Sequence, residues 1–190
     1  MRIVAVLGSP NKNGNTSHLL DSYLEGIMES NKDVLIDNIF LNELSIGFCQ
    51  ACNLCKRKKE KKCIIKDDMI PLYEKVQNAD LLIIATPIYW WNMTAQTKTF
   101  IDRLYALPYE NRIMKGKKFT FITTFAAPDS ESSGAEIVKQ NFQKMTDFTG
   151  MDFIHYFGVT SDAEQKPLSK NYKILNDVKQ LGKSFVMDKV

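Results

Sequence analysis

The chain is poor in proline, with six in 190 residues, and it carries only two histidines, two tryptophans and four cysteines. No repeat, linker or low-complexity tail stands out. An excess of charge of one sign is also missing: 25 Lys and Arg face 22 Asp and Glu, a formal net charge of +3. So small an excess argues against nucleic acid or a membrane surface as partner, unless the positive charge is concentrated locally. Long apolar runs are absent. Residues 3–7 are stopped at once by Gly8-Ser9-Pro10, unlike a signal peptide, and residues 81–91 are broken by Thr86 and Pro87, far short of a membrane span. These absences point to the cytoplasm. Thiols stay reduced there, so the cysteines suggest metal or redox chemistry rather than a disulfide framework. His18 and His155 have no liganding spacing.

What remains is an ordinary globular balance, 44% apolar and 25% charged, in a length that suits one domain over residues 1–190. Short apolar runs alternate with amphipathic stretches. Residues 3–7, 34–40, 81–85, 119–125 and 153–159 read as strands. Residues 16–28, from about 67 to 78, a stretch capped by Thr94 with Phe100, Leu104 and Leu107 on one face, 134–149 and 169–188 read as helices. Five strands alternating with helices predict an α/β fold, a three-layer sandwich whose parallel sheet is covered by helices on both faces. Right-handed crossovers leave few arrangements, and the flavodoxin-like order 2-1-3-4-5 is the natural one for five strands.

Two loops at the expected carboxyl edge carry recognisable chemistry. Gly8-Ser9-Pro10-Asn11-Lys12-Asn13-Gly14-Asn15-Thr16-Ser17 runs from the first strand into a helix. Small and hydroxyl residues there let backbone N–H groups and side chains surround an anion. Asn15 stands where a Walker lysine would be, and Gly-x-Gly-x-x-Gly is missing. A loop of neutral donors suits a phosphate monoester such as that of FMN; an ordinary capped βα turn is the alternative. The eight consecutive turn or donor residues from Gly8 to Asn15 exceed the usual two to six or so. Thr86-Pro87-Ile88-Tyr89-Trp90-Trp91-Asn92-Met93 follows the third strand and holds both tryptophans. A flat ring system needs such apolar faces, although the aromatics could also cap the core. Thr123-Thr124-Phe125-Ala126-Ala127 is a third, weaker candidate.

The cysteines follow the pattern Cys49-x2-Cys52-x2-Cys55-x7-Cys63, within a cysteine-rich insertion at about 47–66. Three thiolates two residues apart, closed by a fourth, suit an iron–sulfur cluster better than the separated pairs of most zinc sites. Zinc, and free thiols in a cofactor-free loop, remain the alternatives. Residues 56–62 hold six cations and one acid, able to offset thiolate charge, to dock an acidic electron donor, or simply to be solvated.

Taken together, Gly8-Ser9-Pro10 with Gly14-Asn15-Thr16, the cysteine motif, Cys63-Ile64-Ile65-Lys66-Asp67-Asp68-Met69, Thr86-Pro87-Ile88-Tyr89 and Phe100-Ile101-Asp102-Arg103 resemble the archaeal and bacterial iron–sulfur flavoproteins. These are a branch of the NADPH-dependent FMN reductase group within the flavodoxin-like superfamily. The resemblance implies an oxidoreductase with FMN, a 4Fe-4S cluster on Cys49, Cys52, Cys55 and Cys63, electron transfer, and a homo-oligomer, dimer or tetramer. A ferredoxin or NAD(P)H would be the electron donor. It implies that Ser9, Asn11, Asn15, Thr16 and Ser17 hold the phosphate. Pro87, Ile88, Tyr89, Trp90 and Asn92 would contact the ring and ribityl chain. Trp91 departs from the small residue often found there, and Ala126-Ala127-Pro128 lacks the glycines that relatives often carry. No residue is singled out as a catalytic acid or base. The competing readings are an NAD(P)H-dependent FMN or quinone reductase without a cluster, and a zinc-stapled scaffold that docks an acidic protein.

Overall fold

A strand with apolar side chains at every position has to be covered on both faces. β3 (Leu81–Ala85) is buried at all five residues, and β1 (Arg2–Leu7) from Ile3 onward. In the computed structural model, which describes residues 1–57, 62–108, 113–161 and 167–185, these two strands form the middle of a five-stranded parallel sheet. β2 (Leu35–Phe40) lies beside β1, and β4 (Lys118–Phe125) and β5 (Asp152–Thr160) lie beyond β3. Counted along the sheet, the order is the expected 2-1-3-4-5. A separate two-stranded hairpin, Ile88–Tyr89 with Asn92–Met93, falls between β3 and β4 in the chain.

Alternation along β1 sorts the core into two halves. Ile3, Ala5 and Leu7 meet α1 (Asn15–Ser30) and α5 (Tyr172–Lys183) through Leu19, Tyr23, Ile27 and Val178. Val4 and Val6 face the other layer, where α2 (Met69–Asn78), α3 (Ala95–Leu104) and α4 (Ala135–Thr149) contribute Val76, Phe100 and Phe142. Among the described residues no helix is long and apolar enough to cross a membrane.

Two elements end differently from expectation. α3 stops at Leu104, and Leu107 is buried from the turn beyond it, Leu107 N–H bonding the Leu104 carbonyl at 2.9 Å. The closing helix begins only at Tyr172: a 3₁₀ turn, Leu168–Lys170, precedes it, and the Asn171 side chain accepts from Ile174 N–H. The expected end of that helix at 188 lies outside the described residues. Of Asp67 and Asp68, the two expected caps of α2, Asp68 makes no side-chain cap bond. Asp67 caps the helix from one residue earlier, its Oδ1 accepting Met69 N–H at 3.1 Å.

Candidate cofactor sites

Strands β1 and β3 end level, Leu7 beside Ala85, and β4 runs three residues past Ile122, the partner of Ala85. Gly8 N–H bonds the Ala85 carbonyl at 2.7 Å and Thr86 N–H bonds that of Ile122 at 3.1 Å, which brings three loops together at one edge. Hydroxyl groups tie these loops. Thr94 Oγ1 donates to the Gly8 carbonyl at 2.7 Å, Thr123 Oγ1 to that of Thr86 at 2.8 Å, and the hydroxyls of Thr16 and Thr124 meet at 2.8 Å. A Cβ on Gly8 would lie 1.8 Å from Thr97 Oγ1, so only glycine lets the first loop approach α3 this closely.

The first loop folds on itself before the helix starts. Asn11 N–H bonds Ser9 Oγ at 3.1 Å, and Asn13 N–H bonds Asn11 Oδ1 at 3.1 Å. The first bond of α1 runs from His18 N–H to the Gly14 carbonyl. No side chain caps this helix and no acid sits in its first turn, so its leading N–H groups and the positive end of its dipole face the loop. That arrangement fits an anion. The side chains named for the phosphate are placed unequally. Thr16 and Ser17 are buried in the first turn of α1, Ser9 is buried where the loop leaves β1, and Asn11 is exposed. Asn15 Oδ1 accepts Leu168 N–H at 3.0 Å, binding α1 to the segment before α5.

In the second loop the tight hairpin has Trp90 and Trp91 as its two central residues, with φ of 51° and 60°. Two positive φ values in sequence are the geometry of a type I′ turn, which normally takes Asn and Gly. Bulky residues there are strained. Trp91 is held by its Nε1 bond to the Ser132 carbonyl at 3.0 Å, whereas Trp90 is 90% exposed. Gly134, at φ +87°, fits against the Trp91 backbone, where a Cβ would come within 2.5 Å of the Trp91 carbonyl oxygen. Trp90, Trp91, Ile88, Phe125, Ala126 and Ala127 line a cavity of about 240 Å³ between the hairpin and the loop after β4. Pro87 is buried and Tyr89 exposed, and Asn92 turns its Oδ1 to Met93 N–H.

The cysteine segment leaves the same edge after β2. Its stem is closed by Asp68 and Asp67. Ser45 N–H bonds Asp68 Oδ2 at 2.7 Å and Gly47 N–H bonds Asp67 Oδ2 at 2.8 Å. Cys49, Cys52, Cys55 and Cys63 all line one cavity of about 570 Å³, walled opposite by Leu104, Met145 and Phe148. Cys49 and Cys52 are exposed, and Cys55 and Cys63 half-buried. Ala51 and Asn53 take left-handed φ of 50° and 56°, which turns the chain between successive cysteines. Burial pushes the Cys55 thiol up, with Lys56 pulling the other way. Among the described residues no three His, Cys, Asp or Glu side chains are gathered as a metal site. The donor set, four soft thiolates on one cavity, is what an iron–sulfur cluster takes. Of the basic run, Lys56 donates to the Leu107 carbonyl at 2.7 Å and lies over the Tyr105 ring; residues 58–61 lie outside the described residues.

Sequence reasoning passed over Arg103 and Asp67 except as parts of a motif. Arg103 is 1% exposed, and both its terminal nitrogens bond the Asp67 carboxylate. Burial works against that carboxylate's charge, but the hydrogen bonds from Arg103, Gly47 and Met69 hold its pKa below the ordinary value. The available signal was an arginine one position before Leu104 on the core-facing side of α3, since a buried charge needs a partner. His155 also has a place: Nδ1 meets the Tyr23 hydroxyl at 2.7 Å and Nε2 meets Ser184 Oγ at 3.3 Å.

A doubly covered parallel sheet with a donor-rich loop at its switch point defines a flavodoxin-like α/β protein. The family model of NADPH-dependent FMN reductase matches residues 1–163, and the chain belongs to that family. It is 40% identical over 127 residues to an iron–sulfur flavoprotein of Archaeoglobus fulgidus, covering 66% of this chain and 55% of that protein. It is 30% identical over 191 residues to an iron–sulfur flavoprotein of Methanosarcina thermophila, covering 95% of this chain and 96% of that one. Among solved structures, an FMN-dependent NADH-azoreductase of Bacillus anthracis in complex with FMN superposes with a TM-score of 0.74 at 13% identity, over 96% of this chain and 98% of that one. That likeness shows the fold.

Proposed function

We propose that this chain is a cytoplasmic flavin-dependent oxidoreductase that passes electrons between a partner, an iron–sulfur cluster on Cys49, Cys52, Cys55 and Cys63, and FMN. One observation carries the reading: the uncapped start of α1 and the hairpin cavity lie on loops at the carboxyl edge of the sheet, and the segment leaving that edge after β2 brings four cysteines to one cavity against the ends of α3 and α4. The names of the Archaeoglobus and Methanosarcina relatives support the cluster. When bound, FMN supplies two-electron and one-electron chemistry and a cluster supplies single-electron exchange.

The residues divide the work. The first-turn N–H groups of α1, with Ser9, Thr16 and Ser17, bind the phosphate, and Asn11 and Asn15 shape the loop around it. Ile88, Tyr89 and Trp90 lay apolar surface against the ring, Pro87 and Asn92 fix the hairpin that carries them, and Ala126 and Ala127 shut out water from the far side. The cysteines hold the cluster, and the half-buried pair, Cys55 and Cys63, forms its inner wall. NAD(P)H or a ferredoxin would deliver the electrons, to a homo-oligomer in the reading favoured by the resemblance.

The second reading, an NAD(P)H-dependent FMN or quinone reductase whose cysteines hold no cluster, is supported by the match to the NADPH-dependent FMN reductase family model. Cys52→Ser, purified without oxygen beside the parent, separates the two. The parent should show a broad brown absorbance beneath the flavin bands, and the variant should lose the brown component while keeping its flavin. Superimposable spectra in parent and variant, both of flavin alone, would establish the second reading.

A further inference from the structure

Arg103 does more than an ion pair requires. A buried guanidinium must be compensated, and Asp67 alone would suffice for its charge. Yet Nη1 also donates to the Gly47 carbonyl at 2.7 Å, and Nη2 reaches Cys63 Sγ at 3.6 Å. Gly47 lies two residues before the first cysteine, and Asp67 lies four after the last. One side chain from α3 therefore grips both ends of the cysteine segment and touches its final thiol. The planar fork of arginine can make these bonds together, and the single ammonium of lysine cannot. The Tyr73 hydroxyl, buried beside Arg103, also faces Cys63.

We infer that Arg103 is the positioning residue of the cysteine site. It fixes Cys63 relative to the stem of the segment before any metal is present, and its N–H donates to the Cys63 sulfur once that sulfur is a thiolate ligand. This rests on the cluster reading above. Hydrogen bonds and positive charge at a ligating sulfur stabilise the reduced, more negative cluster, so Arg103 raises the cluster's reduction potential. Asp67 sets the direction of the fork, and α3 gives it a rigid base.

The test uses the full chain, labelled with ¹⁵N-arginine in an Arg57→Lys background, reconstituted anaerobically with ferrous iron and sulfide and then reduced. Pulsed EPR should detect a ¹⁵N hyperfine coupling to the reduced cluster. A cluster signal without that coupling overturns the inference and leaves the proposed function standing. The lack of any cluster signal, iron or sulfide overturns both. Redox titration of Arg103→Lys and Arg103→Gln adds a second readout. The cluster midpoint should become more negative in the glutamine variant, less so in the lysine variant, with the flavin midpoint unmoved. Equal cluster midpoints in both variants and the parent overturn the inference.

Discussion

Gly8 sits where the first loop, β3 and α3 converge, and the 1.8 Å separation between a built Cβ and Thr97 Oγ1 leaves no room for a methyl group. Gly8→Ala should therefore destabilise the fold by about 1–3 kcal/mol through overpacking. It should also shift the loop and weaken flavin retention; urea titration and flavin release on dilution measure the two effects. At α1 the donors that fit a phosphate are mainly backbone N–H groups. Asn15→Ala with Thr16→Ala removes the bonds to Leu168 and Thr124, each worth about 0.5–1.5 kcal/mol. The double variant should lose stability and bind flavin more weakly, and unchanged flavin affinity would show that neither side chain helps to hold the phosphate. His155 gives a pH prediction. Burial lowers its pKa below 6.5, so the folded state prefers the neutral ring. The unfolded chain takes up the proton first, and this contribution to stability, full above about pH 6.5, falls as pH drops toward the folded value. His155→Gln should flatten that slope in urea titrations compared at about pH 7.5 and pH 5.5.

The hairpin is the element that sequence patterns concealed. Both tryptophans marked the loop as a ring-binding candidate, but nothing in their type announced a type I′ turn, because Asn-Gly is its usual signal. The strain is outweighed by tertiary contacts: the Trp91–Ser132 bond and the close fit of Gly134. Trp90 has few such contacts, so Trp90→Gly should relieve its left-handed backbone and raise stability by about 1 kcal/mol. The same change should reduce quenching of flavin fluorescence. A variant with unaltered fluorescence would place Trp90 away from the ring. Regular elements were far more legible. The all-apolar run 81–85 could only be a strand buried on both faces, and it coincides with β3. The late start of α5 was not legible, since Asn15 secures the segment before it from 153 residues away.

At the scale of the whole molecule, order and strand direction followed from the alternation of elements, and that alternation brings the candidate loops to one edge. The cysteine spacing predicts four thiols around one centre; they line one cavity, with no three of them gathered as a metal site among the described residues. It did not reveal what fixes that neighbourhood, because Arg103 and Asp67 lie on separate elements, joined only by the fold. The most direct measurement of the central claim is the iron, acid-labile sulfide and flavin content of protein purified and handled without oxygen. The account predicts one FMN per chain with about four irons and four sulfides. Flavin at one per chain with neither iron nor sulfide, before and after reconstitution, would contradict it and leave a simple FMN reductase.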